Sequence, residues 1–343
     1  MKQIFKYLFG FATIFTLLIQ CKVDKKTEQY TDMNQVSILS FNILQGGHDA
    51  SNVGFPNTRF NGSRFDDLVN VILKTNATIV GVQEDTKTDS LLISLGRDWN
   101  RCYNIYSKFK LKPLGSNGEL LNACRAYLPN GDSVVVVNSH WWPTGGDGPG
   151  LIKQRILDND IPKDLKVFES EILEATKQIA EGPRGYKATI DLIEPYLEAN
   201  EKVILVGDFN EPSHLDWTDR YVREGKDRWV KNPTEVPLRF AIAWQGSKAL
   251  ANIKLSDAYR TVNTDEVAQP GITWTPPYPN GTIGRQDYDN QELARIDRIY
   301  FNDTGLSCKT ASVVTGLNGN GEIKLDCDWP SDHWAVLASF DIK

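Results

Sequence analysis

Apolar residues along this chain fall into short runs set between stretches with a helical repeat. Val36–Phe41, Thr78–Val82, Ser133–Asn138 and Lys202–Val206 are brief, rich in β-branched residues and closed by polar or glycine residues, which predicts buried strands. Tyr103–Leu111 and Glu119–Leu128 read as two more, with turns at Gly115-Ser116-Asn117-Gly118 and Asn130-Gly131-Asp132. Phe65, Leu68, Val69 and Ile72 share one helical face, predicting a helix from a Ser63 cap to about Lys74. Glu169, Ile172, Leu173, Thr176 and Ile179 predict another within 163–180, flanked by helical segments near 151–158 and 187–199. Residues 213–260 read as short helices and loops, and 276–291 as a Pro-, Gly- and Asn-rich loop. Ile272–Trp274, Ala294–Phe301 and Trp334–Phe340 are extended, with a hairpin expected between Cys308 and Leu325. Strands and helices alternate with no linker after residue 34, so residues 36–343 are expected to form one layered α/β domain.

The first residues differ from the rest. Lys2 and Lys6 precede an apolar run from Tyr7 to Ile19, the layout of a secretory signal over 1–20. It ends at Leu18-Ile19-Gln20-Cys21, similar to a bacterial lipoprotein box with Cys21 as the lipidated residue, although Gln20 departs from the usual small residue. Ordinary cleavage or an uncleaved anchor are the alternatives. Residues 21–35 then form a polar tether. The expectation is an exported lipoprotein held on a bacterial membrane, facing the periplasm or the outer surface.

Charge narrows the partners. The formal net charge is −6, and losing Lys2 and Lys6 makes it more negative, so no global attraction draws a polyanion. Nucleic acid is possible but not favoured, and a monomer is expected. Beyond Cys21 the cysteines are Cys102, Cys124, Cys308 and Cys327, which permit three pairings in an oxidising compartment. Cys308 with Cys327 is preferred, across a Gly- and Asn-rich loop. No pair has zinc-ligand spacing and the histidines do not cluster with them.

Candidate chemistry recurs at the strand ends. Asn42 closes the first strand, Glu84 follows the second, His140 another, and Asp208 with Asn210 the run ILVGDFN. Asp297 sits in RIDRIYF and Asp332-His333 stands before the last strand. Open α/β sheets place ligands at such ends. Any one of these is an ordinary turn or core residue; the shared placement is what suggests a site.

These blocks resemble the endonuclease/exonuclease/phosphatase superfamily, with its pancreatic-DNase-like fold. The matching pieces are SFNI at 40–43, VGVQE at 80–84, VNSH at 137–140, VGDFN at 206–210, RIDRIYF at 295–301 and SDHWAV at 331–336, in the family's order. The resemblance implies a four-layer α/β (α+β) sandwich, two mixed β-sheets packed face to face with helices outside. It implies Asn42, Glu84 and Asp332 at a metal, Asp208 activating water, and Asn210 holding that water or a phosphate oxygen. It further implies His140 and His333 donating to phosphate, with Asp297 fixing one imidazole. Oxygen ligands suit Mg2+ or Mn2+, and a carboxylate beside a histidine keeps it protonated.

The resemblance therefore leads to an exported, metal-dependent phosphoesterase acting on a phosphodiester or phosphomonoester of a small or lipid-linked substrate. A secreted nuclease is the alternative, and a glycan-binding lipoprotein without catalysis a third reading. The segment 141–200 is long for the family. Trp141, Trp142 and Trp274 are expected on the substrate rim, where they would stack on a sugar, base or quaternary amine. His48 and His214 are expected outside the catalytic set, and Asp257 as structural.

Overall fold

Side-chain alternation decides the architecture. In Ser133–His140, Val134 and Val136 enter one apolar core while Val135 and Val137 enter another. Ile204 and Val206 part from Val203 and Leu205 in the same way. Residues two apart share a face, so this sheet is covered on one side by a second sheet and on the other by helices.

The computed structural model describes residues 34–47, 64–86, 88–118, 120–143, 148–278, 280 and 287–343. The expected leader, Cys21, most of the tether, His48 and the Ser63 cap lie outside the described residues. The strands are β1 (Gln35–Asn42), β2 (Ile79–Gln83), β3 (Asn100–Cys102), β4 (Ile105–Ser107), β5 (Lys110–Ser116), β6 (Leu121–Tyr127) and β7 (Ser133–His140). They continue with β8 (Val203–Asp208), β9 (Ser256–Asp257), β10 (Asp297–Phe301), β11 (Leu306–Gly316), β12 (Ile323–Leu325) and β13 (Ala335–Ile342). One sheet runs β12-β11-β13-β1-β2-β4-β3 and the other β5-β6-β7-β8-β10-β9. Both are mixed: β1 with β2 and β7 with β8 are parallel, whereas β1 with β13 and β8 with β10 are antiparallel.

Helix α1 (Phe65–Lys74) lays Leu68, Val69, Val71 and Ile72 on the seven-stranded sheet, and α2 (Thr88–Leu95) adds Leu91 and Leu95. A second helical pair, α3 (Gly148–Leu157) and α4 (Leu165–Ala180), packs with Trp217, Trp229, Phe240 and Trp244 into a small core that contains no strand residue. α5 (Tyr186–Glu198) covers the outer face of the six-stranded sheet, joined there by Leu250. The result is the expected four-layer sandwich.

Three expectations fail. Tyr103–Leu111 is not one strand: Tyr103 takes a left-handed φ of 56°, the chain reverses into the β3–β4 hairpin, and β5 starts the other sheet. Cys308–Leu325 is not a hairpin either, because β11 and β12 pair in parallel, Val314 opposite Ile323 and Gly316 opposite Leu325. Gly321 permits the doubling back; a Cβ there would meet the Val313 carbonyl oxygen at 2.3 Å. That register puts Cys327 beyond Gly316 and Cys308 near the strand's other end, roughly 25 Å away at strand rise. No disulfide spans such a gap. The bond is instead Cys102–Cys124, with Cα atoms 6.4 Å apart, joining β3 of one sheet to β6 of the other. Cys308 and Cys327 are free thiols.

Candidate active site

The core-facing rows turn polar at one end of the sandwich. Val134, Val136, Asn138 and His140 alternate along β7; Ile204, Val206 and Asp208 do so along β8; Phe301, Ile299 and Asp297 along antiparallel β10. Asp208 is in register with His140 on one side and Asp297 on the other, so three candidate side chains stand abreast. From the facing sheet, Asn42 ends β1 in register with Gln83, and Glu84 follows. Gln83 donates to Asn138 across the sheets at 2.7 Å, pinning the two at the level where core becomes cleft. The Ser331 hydroxyl donates to the Asn42 carbonyl at 2.6 Å and fixes the turn that carries Asp332 and His333.

His333 Nδ1 bonds Asp297 Oδ2 at 2.9 Å, while its Nε2 points at Asp208 Oδ2, 3.7 Å away. Nε2 of His140 approaches the same Asp208 oxygen at 3.6 Å. Burial works against charge on His333, but Asp297 and Asp208 outweigh it and push its pKa up to about 10. Burial raises the Asp208 carboxyl, with His333 opposing that and Asp297 adding to it. The Asp297 backbone N–H donates to Thr273 Oγ1, whereas its buried Oδ1 has no hydrogen-bond partner.

Asn42 sits between two carboxylates. Its Nδ2 donates to Glu84 Oε1 at 3.2 Å and Asp208 Oδ2 at 3.0 Å, and its Oδ1 accepts from the Leu44 N–H at 3.0 Å. Gln45 fixes the other Glu84 oxygen with both its backbone N–H and its Nε2, each at 3.1 Å. The Asn210 N–H donates to Asp208 Oδ1 and its Nδ2 to the Trp141 carbonyl. Leu44, Gln45, Glu84 and Asn210 all have positive φ, from 46° to 60°. Asn tolerates that conformation; the other three carry strain of about 1–3 kcal/mol each, which only a surrounding set of contacts maintains.

These groups line a cleft of about 430 Å³, with Gln45, Glu84, His140, Asp208, Asn210, Asp332 and His333 in its wall. Trp142 and Trp274 also line it. Trp141 does not. It is only 3% exposed, edge-on to Phe209 at 4.7 Å, with its indole N–H donating to Thr189 of α5. The reason is parity: if His140 faces the cleft, the next residue faces the helices. A side pocket of about 180 Å³ shares Asn210, Trp274 and His333 and is closed by Pro149, Glu292 and Ile296. His214 lies apart, its Nδ1 paired with Ser247 Oγ at 2.9 Å. Asp257 caps a short helix and bonds Arg295, a structural place.

Sequence reading missed Gln45 and Arg184. Gln45 stands just past the SFNI block at 40–43, the signal that could have led to it. Arg184 precedes α5 in the segment between His140 and β8, and no motif marks it. Its guanidinium lies 4.2 Å over the Trp142 ring; burial disfavours its charge, while Glu84 and Asp208 favour it.

A profile of the Endonuclease/Exonuclease/phosphatase family matches residues 39–333, from the first strand to the cleft histidine. The chain belongs to this family. An uncharacterised Caenorhabditis elegans protein, F14F9.5, is 25% identical over 361 residues, covering 95% of this chain and 98% of its own. Among solved structures, the 3'-5' exonuclease NExo of Neisseria meningitidis is similar in fold, with TM-score 0.50, 17% identity, and coverage of 89% of this chain and all of the other. An endonuclease/exonuclease/phosphatase protein of Beutenbergia cavernae has TM-score 0.48 and 14% identity over 90% of this chain and 72% of its own.

Endonuclease/exonuclease/phosphatase proteins act on phosphate esters and generally use a divalent metal. The donors present fit one. Glu84 and Asp332 bring carboxylates to the cleft wall, and ligand atoms of Asp208, Asp297 and His333 lie within 4.8 Å of one another. The 2.9 Å bond between His333 and Asp297 engages that trio internally, and the Glu84 oxygens accept from Asn42 and Gln45. The carboxylates of Glu84 and Asp332 in the cleft wall are donors of the kind that suits a hard ion.

Proposed function

We propose that this protein is a divalent-metal-dependent phosphoesterase that hydrolyses a small or lipid-linked phosphate ester by attack of water. The observation that carries the reading is Asp208 Oδ2, faced by Nε2 of both His140 and His333. A carboxylate whose proton affinity is raised by burial, next to two imidazole donors, can take a proton from water while the donors hold the phosphate oxygens. His333, kept charged by Asp297, donates through Nε2; His140 donates beside it. Asn210 holds Asp208 through its backbone N–H and faces the cleft with the remainder of its amide. Glu84 and Asp332 would hold Mg2+ or Mn2+, which when bound neutralises charge on the phosphoryl group. The attacking oxygen bonds to phosphorus, the ester P–O bond breaks, and the leaving oxygen takes up a proton.

The size and charge of the cleft favour a compact substrate. Among the described residues Arg184 is the only lysine or arginine in its wall. A nuclease tracking a strand needs several phosphate contacts. Export fits the Cys102–Cys124 disulfide, which needs an oxidising compartment, and the N-terminal pattern with Cys21 as a lipid anchor.

The test is hydrolysis of bis-p-nitrophenyl phosphate, p-nitrophenyl phosphate and plasmid DNA, side by side, with Mg2+, Mn2+ or EDTA. Ester turnover abolished by chelator is expected. Turnover indifferent to EDTA would refute the metal, and preferential, steeply salt-dependent DNA cleavage would favour a nuclease.

A further inference from the structure

Several arginines of this protein keep a buried guanidinium nitrogen without a hydrogen-bond partner, but each is held through another of its nitrogens: Arg295, like Arg260, binds Asp216, and Arg298 and Arg228 donate to backbone carbonyls. Among the described residues the half-buried Arg184 differs, since its side chain makes no hydrogen bond. Its backbone carbonyl accepts the Trp142 N–H at 2.9 Å and anchors it beside the exit of β7, and its guanidinium face is stacked on Trp142. Its Nε is buried without a hydrogen-bond partner, and among the described residues it forms no ion pair. Glu84 and Asp208 act on it only through space. Yet it lines the same cleft as His140, Asp208, Asn210 and His333.

A guanidinium stacked on an indole has one plane covered and its donor edge free, and that edge is a planar fork matched to two oxygens of one anion. We propose that Arg184, held on the Trp142 platform, is the cleft's phosphate fork, binding non-bridging oxygens of the substrate in addition to those met by the two imidazoles. This rests on the phosphoesterase reading above, and it makes the segment between His140 and β8 a recognition element. The α4–α5 turn and the exit of β7 meet at this pair, so that segment supplies a permanently charged group beside the His333 imidazolium. The ligand class is a phosphate oxyanion, either the scissile group or a second phosphate beside it.

The test is titration of inorganic phosphate into full-length wild type, Arg184→Ala, Arg184→Lys and Trp142→Ala, in Mg2+ and in EDTA, with melting temperatures recorded. Loss of a bidentate charged contact should weaken phosphate binding about 10- to 100-fold in Arg184→Ala. Arg184→Lys should recover only part of it, since an ammonium is not a fork. Trp142→Ala should fall between. With p-nitrophenyl phosphate and bis-p-nitrophenyl phosphate, Arg184→Ala should raise KM far more than it lowers kcat, a split that a merely structural role would not produce. A larger effect on the monoester assigns the scissile group; unchanged KM for both esters with weakened phosphate binding assigns the second phosphate. The inference is overturned if wild type takes up no phosphate, or if Arg184→Ala binds it as tightly as wild type. Should Arg184→Ala fail to fold, normal binding by a folded Arg184→Lys overturns it too. Absence of any ester hydrolysis by wild type would instead count against the phosphoesterase reading, and the titration would still decide the fork.

Discussion

His333 and Asp297, 36 residues apart in sequence, meet in a 2.9 Å bond between Nδ1 and Oδ2 beneath the cleft floor. The bond leaves Nε2 as the only ring atom turned toward Asp208 and holds the ring charged. Asp297→Asn keeps the shape and removes the charge. Turnover is expected to fall about 100-fold or more, the usual scale of a lost acid–base partner, and the melting temperature at neutral pH to drop as well, since the buried, charged His333 loses its partner. Steady-state rates and calorimetry on the same preparation check this.

Asp208→Ala and His333→Ala should each reduce turnover by several orders of magnitude, on the order of 10³ or more. Asp208→Ala also removes the acceptor of the Asn42 and Asn210 bonds, so circular dichroism should accompany the kinetics. Near-wild-type rates in either variant would refute the assignment.

Asn42→Asp tests the cation seat from the opposite direction. The amide that now donates to Glu84 and Asp208 would become a third carboxylate among them. Without a divalent ion the variant should lose about 3–5 kcal/mol, the scale of an uncompensated buried charge. Mg2+ or Mn2+ should restore most of it. Melting curves in EDTA and in cation separate the two; an equal loss in both conditions would argue against a cation at this point.

Asp216 carries a pH signature of its own. Burial would raise its pKa, but Arg295, Arg260 and Arg228 prevail and lower it from 3.8 to about 2. The unfolded chain therefore binds the proton more tightly than the folded one. The stabilisation is complete above pH 4 and is lost as pH falls through 2. Urea titrations from pH 5 to 2 should show that decline in wild type. Asp216→Asn should be less stable at pH 7, by roughly 3–5 kcal/mol, and have a flatter profile in that window.

Cys102→Ser with Cys124→Ser should lower stability by about 3 kcal/mol, through the loop that the bond closes between the sheets. Cys308→Ser with Cys327→Ser should leave the cross-link intact in peptide mapping.

How far the sequence reached follows from strand geometry. His140, Asp208 and Asp297 were legible because each continues the core-facing alternation to the end of its strand, and Glu84 because it follows a short buried strand. The same alternation excluded Trp141 from the rim, a consequence of parity that composition alone hides. The disulfide was not legible: loop composition suggested the wrong pair, and the choice depends on β11 and β12 running the same way. Arg184 was the least legible, since its place is set by how the helices outside the six-stranded sheet pack, not by any local pattern.

The tryptophan-lined pocket of packing beneath α3 and α4 has a consequence for how such an enzyme can change. Because that region closes on its own apolar residues and borrows none from the strands, substitutions in it leave the chemistry's foundations alone. A lineage could thus revise what it binds by altering one flank of the mouth, while the carboxylates and imidazoles stay where the sheets hold them.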